Sequence, residues 1–198
     1  MKQGDNNLLV FWEKSCRSSH ITESPMDCSD VYRTGWGLDG VYTIYPAGPT
    51  SPVQVYCDMS QDDVIQRRKD GTVNFFMKWD HYKTGFGSAA GEYWLGIKTA
   101  LCLKTTNYYE LRVDMEDLRV RRSLPVTPPS PLGLSLKDTN THSSNCTRLA
   151  FGAFWHTACF GANPNGIYTW GPSPRAAGVN TLEYSLKTMI MKIRPITA

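Results

Sequence analysis

The 198-residue chain lacks the features that mark a catalyst, a nucleic-acid binder or a membrane protein. It has no Gly-x-Ser-x-Gly elbow, no His-Glu-x-x-His helix and no phosphate-binding loop, so the common nucleophilic, metal-assisted and phosphoryl-transfer sites are missing and the reading is of a non-enzyme. A net charge of +3, without a basic stripe interleaved with aromatics, excludes nucleic acid as a partner. The longest apolar run near the start, Leu8-Leu9-Val10-Phe11-Trp12, is too short for a signal-peptide core and far too short to span a bilayer. No membrane span is expected, and either the start is incomplete or export takes an unusual route. Leu, Ile, Val and Phe together make only about a fifth of the residues, near the border where chains stop folding unaided. Ten Tyr and six Trp must supply the missing apolar bulk, so the core should be aromatic and helped by crosslinks.

Six cysteines, at positions 16, 28, 57, 102, 146 and 159, include no Cys-x-x-Cys pair. That spacing suits zinc knuckles and thioredoxin-like sites poorly and a disulfide framework in an oxidising compartment well. A metal cluster built from His142, Cys146, His156 and Cys159 is the alternative.

Residues 1–24 have neither apolar periodicity nor turn chemistry and read as a flexible tail carrying Cys16. From Asp27, the spacing of Cys28, Val31 and Tyr32 predicts a short helix stopped by Gly35. Val41–Tyr45 and Val53–Met59 are β-prone runs separated by a Pro-Gly-rich loop, and Val64–Arg68 and Thr72–Phe76 read as a second pair about the Lys69-Asp70-Gly71 turn. Strict alternation around Tyr109, Leu111, Val113 and Met115, and around Met189, Met191 and Ile193, predicts two half-buried strands. Between them, residues 118–145 hold Pro125, Pro128, Pro129 and Pro131 with many Ser and Thr, and are expected to be irregular. Cys102, inside Ala100-Leu101-Cys102-Leu103, is expected to be a buried free thiol.

Several ordered motifs carry a family resemblance. Asp27-Cys28-Ser29-Asp30-Val31-Tyr32, Gly40–Pro46 and Val55-Tyr56-Cys57-Asp58-Met59 resemble the opening of fibrinogen C-terminal domains. Asp70–Phe76, Tyr82–Gly87, Gly91-Glu92-Tyr93-Trp94-Leu95-Gly96, Tyr109–Asp114, Gly152–Trp155, Ala162–Gly166 and Met191–Pro195 continue the match in order. Ile44–Pro49 look most like the microfibril-associated glycoprotein 4 branch, with ficolins as neighbours. The resemblance implies an α+β fold, with one domain over residues 25–197: a disulfide-linked amino-terminal subdomain, a central antiparallel sheet with short helices, and a truncated, loop-rich ligand-binding subdomain. It implies a secreted, calcium-supported module of the extracellular matrix or innate immunity that binds acetylated glycans or matrix proteins, usually as a homo-oligomer. It also implies the disulfides Cys28–Cys57 and Cys146–Cys159. Cys16 resembles the amino-terminal cysteines that join chains, the alternative being an unpaired tail thiol.

Residue by residue, the resemblance places calcium at Asp138 and Asn140. Lys137 stands between them and the chain before, and one carboxylate is a weak calcium site by charge count; a solvated polar loop is the competing reading. The acetyl-group pocket carries over to Asn145, Cys146 and Thr147, with Asn163, Pro164 and Tyr168 at its wall. Pro164 stands where the family has leucine, and the following aromatic-rich segment is cut to Val179–Glu183. Asn145-Cys146-Thr147 is also a formal glycosylation acceptor, less usable because its middle residue is a cysteine bound for a crosslink. These departures favour a second function, a structural oligomer subunit or matrix partner with a vestigial pocket.

Overall fold

Asp27 starts the first helix by a mechanism legible in its side chain: Oδ1 accepts the Asp30 amide at 2.8 Å, filling one of the donors a helix leaves open. Helix α1, Cys28–Arg33, follows, and Gly35 leaves it with φ +94°. The computed structural model describes residues 24–60, 62–104, 109–116, 121–126, 162–168, 180–181 and 184–196.

Strands β1 (Gly40–Ile44), β2 (Val53–Asp58) and β3 (Asp62–Arg68) are followed by α2 (Trp79–Thr84) and the short strands β4 (Phe86–Gly87) and β5 (Tyr93–Trp94). Helix α3 (Ile97–Lys104) precedes β6 (Tyr109–Glu116) and β7 (Arg121–Val126). After them come β8 (Ala162–Asn163), β9 (Asn180–Thr181), β10 (Tyr184–Ser185) and the final strand β11 (Thr188–Pro195). The main antiparallel sheet runs β1-β2-β3-β11-β6-β7, with β5 also pairing β3 and β4. The last strand thus inserts between β3 and β6, so the carboxyl end of the chain completes the centre of the sheet. A small sheet, β10-β9-β8, lies apart from this path.

The alternation read from the sequence is realised in β6 and β11. Val113, Met189, Met191 and Ile193 are buried in one cluster with Val55, Val64 and the Cys28–Cys57 pair, and Leu111 and Met115 pack against it. A second cluster is aromatic, as the shortage of aliphatics requires: Phe75, Tyr82 and Trp94 are buried with Ile97 and Leu101, and Phe86 packs against them. Phe86 meets Phe75 and Tyr82 edge-on at centroid distances of 4.9 and 5.1 Å, the geometry that ring quadrupoles favour. The polar ends are satisfied too, since Tyr82 Oη donates to the Phe75 carbonyl and Trp94 Nε1 to the Tyr82 carbonyl.

Two expectations are corrected and one element is new. Thr72–Phe76 is not a strand; the Val73 amide donates to the Glu92 carboxylate and Phe76 N–H to Asn74 Oδ1, so local side chains take the donors a ladder would need. Within the stretch expected to be irregular, Arg121–Val126 forms β7, paired with β6 from Leu111↔Val126 to Glu116↔Arg121. Pro125 is tolerated because β7 is the edge of the sheet, where a missing amide interrupts no second ladder. Helix α3 was not foreseen, its apolar run being too short to separate from a strand by periodicity.

Candidate functional site

The described part of the expected ligand-binding subdomain is the loop Ala162–Tyr168, and its shape is set from β3. Arg68 is buried and sends Nη1 to the carbonyls of Pro164 and Gly166, at 3.2 and 3.0 Å. Gln66, two residues earlier and on the same face, donates Nε2 to Asn165 Oδ1. The Arg68 bonds address the main chain of the loop, so proline at 164 keeps the carbonyl that Arg68 needs. At its start, Asn163 pairs in register with Asn180 and Ala162 with Thr181. The shortened Val179–Glu183 segment therefore still supplies a strand that backs the loop.

A buried cation needs a buried counter-charge, and Glu92 provides it. Its Oε1 lies 3.7 Å from Arg68 Nε and accepts the amides of Lys69, Asp70 and Gly71 at 2.7–3.1 Å, while Oε2 accepts the Val73 amide at 2.9 Å. Burial alone would raise this carboxyl, but the four backbone donors outweigh it and hold the pKa below the usual range. Burial likewise pulls Arg68 down, against the opposing pull of Glu92. The guanidinium stacks 4.0 Å from the Phe75 ring centroid, which joins the turn to the aromatic cluster.

Tyr168 closes the arrangement. Its hydroxyl lies 2.8 Å from the Lys187 carbonyl and 3.2 Å from that of Lys69, and its ring rests on Gly71. Gly71 has φ +74°, and a Cβ there would stand 2.7 Å from Tyr168 Cδ1, so both backbone and space require glycine. The three carried-over wall residues lie within the described region: Asn163 is buried at 3% exposure, Pro164 is buried with its carbonyl on Arg68, and Tyr168 is half-buried with its hydroxyl turned to main-chain carbonyls. Ile167, at 42% exposure, is the apolar side chain the loop presents outward. Asn145, Cys146 and Thr147 of the expected pocket, Asp138 and Asn140 of the expected calcium site, and Cys16 and Cys159 lie outside the described residues. Among the described residues no group of three or more His, Cys, Asp or Glu could hold a metal ion. No helix there is long and apolar enough to cross a membrane.

Of the expected crosslinks, Cys28–Cys57 is formed, with both cysteines fully buried beneath α1 and β2. Cys102 corrects the sequence reading: it is disulfide-bonded rather than a free thiol. With Cys28 and Cys57 joined to each other, its partner lies outside the described residues. The Gln66, Arg68 and Glu92 network was missed because only the motif residues, and not their mutual contacts, are visible in the sequence. The signal available was Glu92 beside the apolar run Tyr93-Trp94-Leu95, a carboxylate next to a buried strand that needs a counter-charge.

A family model for the C-terminal globular domain of fibrinogen beta and gamma chains matches residues 24–125 and 133–196. Bovine (Bos taurus) microfibril-associated glycoprotein 4 is 37% identical, the alignment covering 92% of this chain and 88% of that protein. Human fibrinogen C domain-containing protein 1 is 36% identical over 85% of this chain and 46% of its own length. Among solved structures, the fibrinogen-like globe domain of human ANGPTL6 superposes with a TM-score of 0.74 at 29% identity, covering 90% of this chain and all of that one. Shared motifs, the observed antiparallel sheet and the matched family model meet in one conclusion: the chain belongs to the fibrinogen C-terminal domain family.

Proposed function

We propose that the chain is a secreted, non-enzymatic recognition module of the extracellular matrix or of innate immunity that binds acetylated carbohydrates or matrix proteins. The observation that supports this reading is the Ala162–Tyr168 loop, which is held from β3 by Arg68 through the Pro164 and Gly166 carbonyls and by Gln66 through Asn165 Oδ1, and by its own Tyr168 hydroxyl donating to the Lys69 carbonyl. Recognition by loops works when a rigid scaffold has already ordered them, because binding then carries little further ordering cost. Calcium is assigned no step: Asp138 and Asn140 offer a single carboxylate, which is a weak set for a hard cation.

A second reading, a structural oligomer subunit with a vestigial pocket, draws on a specific observation. Asn163 is buried and the Tyr168 hydroxyl spends its proton on main-chain carbonyls, so neither offers a hydrogen-bond donor to a sugar. The deciding experiment passes the full chain over immobilised N-acetylglucosamine with and without calcium. Retention released by free N-acetylglucosamine and not by glucose supports the lectin reading. Flow-through in both conditions, from a chain with its disulfides formed, overturns it in favour of the structural one.

A further inference from the structure

One face of the sheet carries a pocket of about 370 Å³, lined in part by the buried Val64, that the loop site does not use. That volume is at the small end of ligand sites, which run from about 300 to 1,000 Å³, so it suits one sugar ring or one amino-acid residue. It forms because strand alternation sends Tyr56, Asp114, Ile190 and Lys192 to this face while Val113, Met189 and Met191 go to the core. Along β3, the same alternation turns Arg67 opposite to Gln66 and Arg68, which hold the Ala162–Tyr168 loop.

Most charges around the pocket neutralise one another. Lys192 is buried between Asp58 and Asp114, and Arg112 reaches Asp114 at 3.0 Å and Asp62 at 3.8 Å. Arg67 differs. Its guanidinium lies 4.2 Å from the centroid of the Tyr56 ring, and among the described residues no carboxylate or other hydrogen-bond acceptor reaches it. A half-buried guanidinium placed over an aromatic ring keeps its planar fork of donors, the geometry that matches a carboxylate with two parallel bonds. Asp39, which lines the same pocket, uses Oδ1 to accept the Met59 amide and leaves Oδ2 open as an acceptor among the described residues. The pocket thus offers an unspent fork of donors and an unspent acceptor. With Asp58 and Asp114 matched by Lys192 and Arg112, Asp39 and Glu116 are the further carboxylates lining the pocket, and they disfavour a second negative charge on the ligand.

We propose that this pocket binds a carboxylated monosaccharide, with the sugar's single carboxylate on Arg67, a ring hydroxyl donating to Asp39 Oδ2, and the C–H edge against Ile190. A neutral sugar leaves the guanidinium unmatched, and a polysulfated one meets the carboxylates around it.

The test is calorimetric titration of the full chain with glucuronate, glucose and glutamate, repeated on Arg67→Gln and Arg67→Lys. Glucuronate should bind saturably, and Arg67→Gln should weaken it by roughly tenfold or more, the scale of a lost charge-assisted contact. Arg67→Lys keeps the charge and the stem over Tyr56 but loses the fork, and should still weaken binding severalfold. Absence of saturable glucuronate binding, equal affinity for glucose, or unchanged affinity in both variants would overturn the proposal. Glutamate binding as tightly as glucuronate would overturn the saccharide assignment. The titrations need no calcium or acetylated sugar, so their failure leaves the loop-site reading standing, and failure of that reading leaves this one standing.

Discussion

Replacing Asp63 by asparagine should stabilise this protein at neutral pH and leave it unchanged in acid. Asp63 is fully buried on β3; its Oδ1 accepts the Cys28 amide at 2.9 Å, and its Oδ2 has no hydrogen-bond partner. Burial, first, and the nearby carboxyls of Asp27 and Asp62 push its pKa well above the ordinary carboxylate value. Asp27 and Asp62 are themselves raised, in each case chiefly by burial. A raised folded-state pKa means that the native chain holds a proton the unfolded chain releases above about pH 4. Stability from this group is therefore complete below about pH 4 and is lost as pH rises through the folded value. Asparagine copies the protonated form: its carbonyl can still accept from Cys28, and its amide supplies donors beside Asp27 and Asp62. An unsatisfied buried polar group costs about 1–3 kcal/mol, so Asp63→Asn should gain that much at about pH 7.5. For a chain of this size each kcal/mol moves the melting temperature by about 2–4 °C, giving an expected rise of a few to about 10 °C. Thermal melts of both proteins at about pH 4 and about pH 7.5 read the effect, with the two curves converging in acid. A lower melting temperature for the variant at neutral pH, or the same gain at both values, would refute the reasoning.

Glu92→Gln should cost about 3–5 kcal/mol in urea unfolding, because it leaves Arg68 buried without its counter-charge and weakens four backbone contacts. Since the Glu92 pKa is lowered in the fold, the wild-type contribution is present above the ordinary carboxylate value and is lost as pH falls through the folded one, so the gap between the two proteins should narrow in acid. Gly71→Ala should destabilise by more than about 1 kcal/mol in the same assay, and adding Tyr168→Ala should restore only the steric part, because the positive φ stays. Alkylation of the denatured, unreduced chain should leave Cys102 unlabelled, and peptide mapping should join it to a cysteine other than Cys28 and Cys57; a labelled Cys102 would contradict the bonded state.

Much of the scaffold is written in local sequence. The Asp27 cap, the runs that become β1 and β2, and the alternation of β6 and β11 depend on neighbours within a few residues, and each forms where its pattern places it. The aromatic core follows from composition, because with few aliphatic residues the large rings must fill the interior. What the sequence left open is decided by contacts across the chain. Thr72–Phe76 has strand-like composition, yet Glu92, about twenty residues on, takes the Val73 amide into a turn. Arg121–Val126 looks irregular because of Pro125, yet the open edge of β6 makes it a strand. Lys192 sits in an alternating strand at a position expected to face water, and it is buried because the registers of β2, β3, β11 and β6 bring Asp58 and Asp114 to its ammonium. Of the expected pocket, Asn163, Pro164 and Tyr168 lie within the described residues, and their placement depends on partners distant in sequence: Asn163 pairs with Asn180, the Pro164 carbonyl accepts from Arg68, and the Tyr168 hydroxyl donates to the Lys187 carbonyl. Arg67 and Arg68 are adjacent and chemically identical; the pleat of β3 sends one into the network under the loop and leaves the other open in a pocket. Periodicity along a chain specifies which face a residue takes, whereas the charge or carbonyl it meets there depends on strand register, which only the folded sheet sets.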